Sequence, residues 1–257
     1  MTQFVTAKDG VRIAYDSVGE GPAVLLIHGI ISSRRINWQD TTWYGTLNRA
    51  GHRVIAMDCR GHGDSDKPHD PAAYDHDIMA NDALAVLDAC GLSSADIMGY
   101  SMGAFISMHL LMAYPEAIEK LVLAGIGSTY LEPTPNTMAD PAIRALVADA
   151  LLAPDAATIT NPIAQTFRAF ADQGKKDKVA LAACMRSIRY VYNAGELAAS
   201  TRPVLVVAGE MDVIAGSPGS LAAAFADGRA ITVPRRDHMS TVGDKIYKQA
   251  VVDFLVK

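Results

Sequence analysis

The stretch from Asp96 to Phe105, DIMGYSMGAF, sets an apolar run directly against a serine that has a glycine two positions away on either side. A short apolar run of this kind suits a strand buried on both faces, and the residues after Ser101 suit a helix. Joining the two with no loop between them needs a turn so tight that its apical residue is strained. The side chain of that residue then stands clear at the carboxyl edge of the sheet. Gly99 and Gly103 remove the Cβ atoms that would collide in such a turn. The pattern Gly-x-Ser-x-Gly therefore reads as a hydroxyl held out at a sheet rim. The pentapeptide also arises by chance in glycine-rich loops, so the strand before it and the helix after it carry the reading.

Working outward, apolar runs of the same type recur at Ala23 to Ile27, Arg53 to Met57, Ala95 to Met98, Lys120 to Ala124, Val204 to Ala208 and Ala230 to Val233. All six are expected to be buried strands. Phe4, Val11, Ile13 and Tyr15 alternate with polar residues around Asp9-Gly10, which predicts an opening two-residue hairpin. Helices are expected from about Ile78 to Cys90, stopped by Gly91, and from about Met102 to Ala113, stopped before Pro115. Strand and helix alternate, so the fold class is α/β: a doubly wound, mostly parallel sheet with right-handed crossovers. From about Thr129 to Thr201 the rhythm breaks into alanine-rich amphipathic stretches that start near Pro141, Pro162 and Lys176. Residues 129–201 are expected to form an inserted helical cap, and residues 1–128 with 202–257 the core. Met138, Phe167, Phe170, Met185, Tyr190 and Tyr192 would fill the cap's own core or face a cavity beneath it.

Of the 257 residues, 50% are hydrophobic and 20% charged, a balance that permits a large core and excludes a disordered chain. The formal net charge is −5 and no Lys/Arg block exceeds two residues, which argues against a nucleic-acid or anionic-membrane surface. The expected partner is a small, uncharged molecule, with the protein a monomer or homodimer. Cys59, Cys90 and Cys184 are odd in number and lack a CxxC pair, so neither a disulfide framework nor a zinc site is indicated. The opening MTQFVTAKDG shows no basic-then-apolar leader and no run is long enough to span a membrane, so a cytoplasmic location is expected.

A serine hydroxyl is a poor nucleophile at neutral pH; it needs a base within hydrogen-bond reach and an acid to orient that base. Of seven histidines, His238 follows the last expected strand and precedes the last helix, so it can reach the edge that holds Ser101. His62 in the turn DCRGHGDS is the alternative. His52 sits at the opposite edge, His69 and His76 in polar surface sequence, and His109 inside the helix after Ser101. For the acid, Asp212 stands just past the strand Val204 to Ala208, with Asp58 and Asp140 in reserve, while Asp237 adjoins His238 too closely to orient it. An aspartate after a strand can also simply cap the next helix. The backbone N–H groups of Ile30, after His28-Gly29, and of Met102 would receive the negative charge of a tetrahedral intermediate. His28 is read as an organiser of its loop rather than a metal ligand, and no cofactor or metal is expected.

Taken together, His28-Gly29, DCRGHGDSDKP from Asp58 to Pro68, GYSMG around Ser101, and the late segments holding Asp212 and His238 resemble the α/β-hydrolase fold superfamily. The likeness is to its capped bacterial esterases, lactonases and C–C hydrolases. The resemblance implies support of the active-site loops by the turn Arg60 to Gly63. It disfavours epoxide hydrolase and dehalogenase chemistry, whose nucleophile is an aspartate, and the loop His28-Gly29-Ile30-Ile31 departs from the HGGG of many lipases. The expected activity is hydrolysis of small to medium, largely apolar esters or lactones. C–C or thioester cleavage with the same residues, a cofactor-free perhydrolase, and a non-catalytic ligand receptor are the alternatives. Arg34, Arg35, Trp38 and Trp43 lie in a long stretch after the first loop that would narrow the pocket or, for the arginines, be solvated; solvation is the expectation.

Overall fold

The apolar runs become strands β1 (Gln3–Thr6), β2 (Arg12–Val18), β3 (Ala23–Ile27), β4 (Arg53–Met57), β5 (Ala95–Tyr100), β6 (Ile118–Ala124), β7 (Val204–Gly209) and β8 (Gly228–Val233) in a computed structural model. It describes residues 1–132, 137–138, 140–187 and 190–256. The eight strands form one sheet in the order β1-β2-β4-β3-β5-β6-β7-β8. β2 is antiparallel to both neighbours and every other pairing is parallel. Strand residues alternate between two apolar layers, as a pleated sheet covered on both sides requires. Leu25, Ile27 and Ile97 face α2 (His76–Ala89) and α3 (Met102–Ala113). Val24, Leu26 and Met98 face α1 (Trp43–Arg49) and α10 (Lys245–Val256), which contribute Trp43, Leu47, Tyr247 and Val251. Each such side chain buried in full stabilises the fold by roughly 1.5–3 kcal/mol.

Two expectations about strands need correction. The opening hairpin has a three-residue loop, Lys8-Asp9-Gly10: the Ala7 N–H reaches Val11 O at 2.8 Å and the Gly10 N–H reaches Ala7 O at 2.9 Å. Gly10 closes it at φ 87°, a left-handed position that glycine occupies without a steric penalty and that bulges the strand by one residue. β8 is not buried on both faces; it is one of the sheet's two edge strands, and Ala230 and Thr232 are exposed. An apolar run carries no record of whether a further strand will pair with it.

Between β6 and β7 the described residues contain helices and no strand: α4 (Ser128–Leu131), α5 (Pro141–Leu152), α6 (Pro162–Asp172), α7 (Lys178–Arg186) and α8 (Ala194–Ala198). α5 and α6 start at prolines, each preceded by a capping Asp140 or Asn161. α7 starts two residues later than Lys176 because Asp177 is its cap, accepting from the Val179 and Ala180 N–H groups. Ile143, Val147, Leu151 and Leu181 form an apolar core within this segment, joined by Ile31 from the loop after β3. A last short helix, α9 (Pro218–Ala222), packs on β8.

The site's position follows from the strand order. From β3 the chain moves one way to β4 and the other way to β5, so the loops after β3 and β5 diverge and leave a crevice at their carboxyl ends. Ile27 pairs with Gly99, which sets His28-Gly29-Ile30 beside Tyr100-Ser101.

Candidate active site

Ser101 sits between β5 and α3 at φ 52° and ψ −112°, one of four non-glycine residues at positive φ among those described. The neighbouring glycines are what make the turn possible. A Cβ on Gly99 would lie 2.3 Å from Gly103 O, and one on Gly103 would lie 2.0 Å from Ile27 O, both backbone atoms.

Three side chains distant in sequence converge here. His238 Nε2 lies 3.1 Å from Ser101 Oγ, and His238 Nδ1 lies 2.8 Å from Asp212 Oδ2. A carboxylate can only accept, so Nδ1 carries the proton and Nε2 presents its lone pair to the serine hydroxyl. The other oxygen of Asp212 accepts from the Ile214 and Ala215 N–H groups at 3.1 and 3.0 Å. Capping the following turn and facing the histidine are thus compatible for one carboxylate. The His238 backbone is held by Tyr100, whose hydroxyl donates to His238 O at 2.5 Å.

Ile30 and Met102 both line the cleft in front of Ser101. Met102 is the first residue of α3, where N–H groups have no intrahelical acceptor and the helix dipole favours an anion. Ile30 lies between two fixed amides: the Gly29 N–H donates to Asn37 Oδ1 and the Ile31 N–H to His62 Nε2, each at 3.0 Å.

The remaining candidates are committed elsewhere. His62 is buried, with Nδ1–H donating to Arg60 O at 2.9 Å. His28 donates from Nδ1 to Gly29 O and accepts the Cys59 N–H at Nε2. Asp58 is paired with Arg34 and accepts the Asp64 N–H; Asp140 caps α5; Asp237 accepts from the Met239 and Ser240 N–H groups. His52 is buried, His69 is exposed beside Asp177, and His109 bonds Asp77 and the Tyr192 hydroxyl. His76 is not at the surface: it is 3% exposed and its Nδ1 accepts the Tyr190 N–H at 2.8 Å. Arg34 likewise is 6% exposed rather than solvated, because Asp16, Asp58 and Asp64 all face its guanidinium. Arg35 is exposed, and Trp38 and Trp43 are core residues. Of the apolar residues in the helical segment, Met138, Phe167 and Met185 reach the cleft at Ser101, Phe170 lines its neighbour, Tyr190 is half exposed and Tyr192 is buried.

Burial pushes the His28 imidazole down to about 4 and the His62 imidazole down to about 3, from an ordinary 6.5; each ring also needs its Nε2 lone pair for a backbone N–H. Both are neutral in the fold and take up protons on unfolding. Their stabilising contribution is therefore complete above pH 6.5 and lost as pH falls toward the folded values, at about 1.4 kcal/mol per histidine per pH unit. Thermal melts from pH 7.5 to 4.5 are expected to show a falling midpoint below pH 6.5, well above the carboxylate range. A midpoint that stays level to pH 5 contradicts it.

A family model described as alpha/beta hydrolase fold matches residues 22–166. The chain belongs to the alpha/beta hydrolase fold family. Among relatives of this hydrolase-fold chain is the bifunctional epoxide hydrolase 2 of Sus scrofa, 31% identical over 133 residues. That match takes in 52% of the chain and 23% of the relative, so the chain spans about a quarter of that protein's length. A hydrolase from Pseudomonas aeruginosa superposes with a TM-score of 0.74 at 28% identity, covering 100% of this chain and 98% of the other. The enol-lactonase of Burkholderia xenovorans shares the fold with a TM-score of 0.75 at 24% identity, covering 99% and 100%. Among the described residues no helix is long and apolar enough to cross a membrane, and no group of three or more His, Cys, Asp or Glu could hold a metal ion.

The roles of Asn37 and Tyr100 and the burial of Arg34 were not legible in the sequence. Asn37 stands in a stretch with no motif, and Tyr100 fills a variable position of Gly-x-Ser-x-Gly. Paired arginines read as surface unless the aspartates that meet them are known.

Proposed function

We propose that the protein is a serine hydrolase that cleaves small to medium carboxylic esters or lactones through an acyl-enzyme on Ser101. The observation that carries this reading is the unbroken hydrogen-bond chain from Asp212 through His238 to Ser101. Ser101 Oγ attacks the carbonyl carbon while His238 Nε2 takes its proton, and Asp212 stabilises the imidazolium that forms. The negative charge on the carbonyl oxygen falls to the N–H groups of Ile30 and Met102. Collapse of the tetrahedral adduct expels the alcohol, which leaves with the proton from His238; water then attacks the acyl carbon with His238 again as base, and collapse of that second adduct breaks the Ser101 Oγ–acyl bond, releases the acid and returns the proton from His238 to Oγ. Attack needs the Nε2 lone pair of His238, which faces the serine hydroxyl. The elbow residue is a serine, so the similarity to an epoxide hydrolase is not carried over as epoxide opening.

Two clefts meet at Ser101, lined largely by apolar side chains such as Phe105, Phe167 and Ile214. They support a substrate with two moderate arms. A panel of p-nitrophenyl esters of rising acyl length, with several lactones, tests the reading. Turnover is expected to peak at short or medium chains. Flat, weak turnover throughout, with cleavage of a β-diketone instead, would replace ester hydrolysis by carbon–carbon cleavage.

A further inference from the structure

Of the two clefts that meet at Ser101, one has His238 in its wall, together with Ser32, Asn37 and Tyr100. In acyl transfer the imidazolium must hand its proton to the departing oxygen, so the alcohol arm of an ester lies in this cleft. Much of the wall is apolar, with Ile36, Phe167, Phe170 and Val242 among its residues. Such a wall accepts many chains alike; the polar groups set into it select among them.

Three of its hydroxyls are spent on protein oxygens: Tyr100 donates to His238 O, Thr41 to Asn37 O and Thr166 to Pro162 O. Asn37 and Ser32 differ. Asn37, in the helical turn Arg35–Gln39, is 5% exposed, and Ser32 is 8% exposed. The Gly29 N–H can only donate, and it meets Asn37 Oδ1 at 3.0 Å, so the other end of that amide is Nδ2 with its two N–H donors. Neither Asn37 Nδ2 nor Ser32 Oγ has a hydrogen-bond partner among the described residues, and neither is sealed from solvent. Asn37 therefore turns its donors into the cleft it lines, and Ser32 adds a hydroxyl where that cleft adjoins the crevice at His62. A Cβ on Gly29 would lie 3.4 Å from Ser101 Cβ and 3.8 Å from Asn37 Oδ1, so a single residue separates the amide from the nucleophile. Donors buried to this degree reject a chain that offers them nothing, because binding then desolvates them without compensation.

We propose that Asn37 Nδ2 and Ser32 Oγ bind a second oxygen on the alcohol arm, making the preferred substrates esters of glycol-type alcohols, with an ether or hydroxyl oxygen a few bonds beyond the ester linkage. This rests on the acyl-transfer reading and narrows it. An oxygen that meets an N–H must accept, so an ether serves as well as a hydroxyl.

The test pairs isosteric esters: 2-methoxyethyl and 3-methoxypropyl butyrate against n-butyl and n-pentyl butyrate, with butyrate release followed by titration. At the better length kcat/KM is expected to favour the methoxy ester by about 5-fold or more beyond the ratio of the hydroxide-catalysed rates, the yield of one hydrogen bond. Asn37→Asp keeps an oxygen on the Gly29 N–H and puts a carboxylate oxygen where the donors stood, so at about pH 8 the preference should vanish or reverse. Ser32→Ala should weaken it by about 3-fold while butyl-ester turnover stays within about 2-fold, a change too small to signal a lost transition-state contact. If Asn37→Asp fails to fold, product inhibition of the unaltered protein decides: free 2-methoxyethanol should compete at lower concentration than free 1-butanol, and equal inhibition by the two alcohols counts against the proposal. Ser101-dependent turnover of the alkyl esters with no preference for either methoxy ester, or a preference that survives Asn37→Asp, overturns the proposal and leaves acyl transfer standing. No turnover of any ester, together with no phosphonate adduct on Ser101, overturns both.

Discussion

Ser101→Ala is expected to lower kcat/KM toward p-nitrophenyl esters by about 10⁴-fold or more, with the melting temperature close to that of the unaltered protein. The size follows from what the substitution removes. Without Oγ no covalent intermediate forms, and His238 has nothing to deprotonate but water, which is neither fixed nor aligned. On this proposal the rate that remains above the uncatalysed reaction would come from the Ile30 and Met102 amides and from the clefts, which the substitution leaves intact. Stability should change little because the backbone at φ 52° is held from both sides by the glycine contacts and by the Ser101 N–H donating to Ala124 O at 2.7 Å. His238→Ala should produce a loss of similar order, and the two losses should not add, since either residue alone disables the same step. A decrease of less than about 100-fold for Ser101→Ala, measured on folded protein, is too small for a nucleophile.

The second large effect is structural. Gly103→Ala would put a Cβ 2.0 Å from Ile27 O and 2.8 Å from His28 O, and Gly99→Ala one 2.3 Å from Gly103 O. These are backbone atoms of β3, of the loop directly after it and of α3, so relief requires the helix to move off the sheet, and α3 packs on both β5 and β6. Each substitution is expected to destabilise by about 3–5 kcal/mol, the range reached when a closely packed backbone must shift. Gly219→Ala is the control, because its added Cβ would have Ser217 Oγ at 3.6 Å as its nearest neighbour. In that helix the change should lie within about 1 kcal/mol of neutral. Urea midpoints measure all three. Equal midpoints for Gly103→Ala and Gly219→Ala would contradict the account of the turn.

Much of the fold could be read from the sequence because each strand and helix declares itself locally. The bounds of β3 and β4 coincide with the runs Ala23 to Ile27 and Arg53 to Met57, and α3 begins and ends at Met102 and Ala113, where the elbow and Pro115 place it. The exposure of β8 was not legible, since being an edge depends on which strands assemble beside it. The site divides in the same way. Ser101, Asp212 and His238 each follow a strand at one edge, so topology alone brings them near one another, and the structure places them within hydrogen-bonding distance. Asn37 and His62 are different: their work on the Gly29 and Ile31 amides depends on loop paths that no periodicity encodes. Arg34 shows the limit most clearly, because its burial is made possible by Asp16, Asp58 and Asp64, residues 18 to 30 positions away that meet only in the folded chain.

The central claim is that Ser101 is the one hydroxyl made nucleophilic by its surroundings. Incubation with a fluorophosphonate, followed by intact-mass measurement and peptide mapping, addresses it without any knowledge of the natural substrate. A single adduct on the peptide that contains Ser101, lost in Ser101→Ala and strongly slowed in His238→Ala, is the predicted result. An adduct that forms on another residue at the same rate in Ser101→Ala, or no adduct on folded protein, contradicts it.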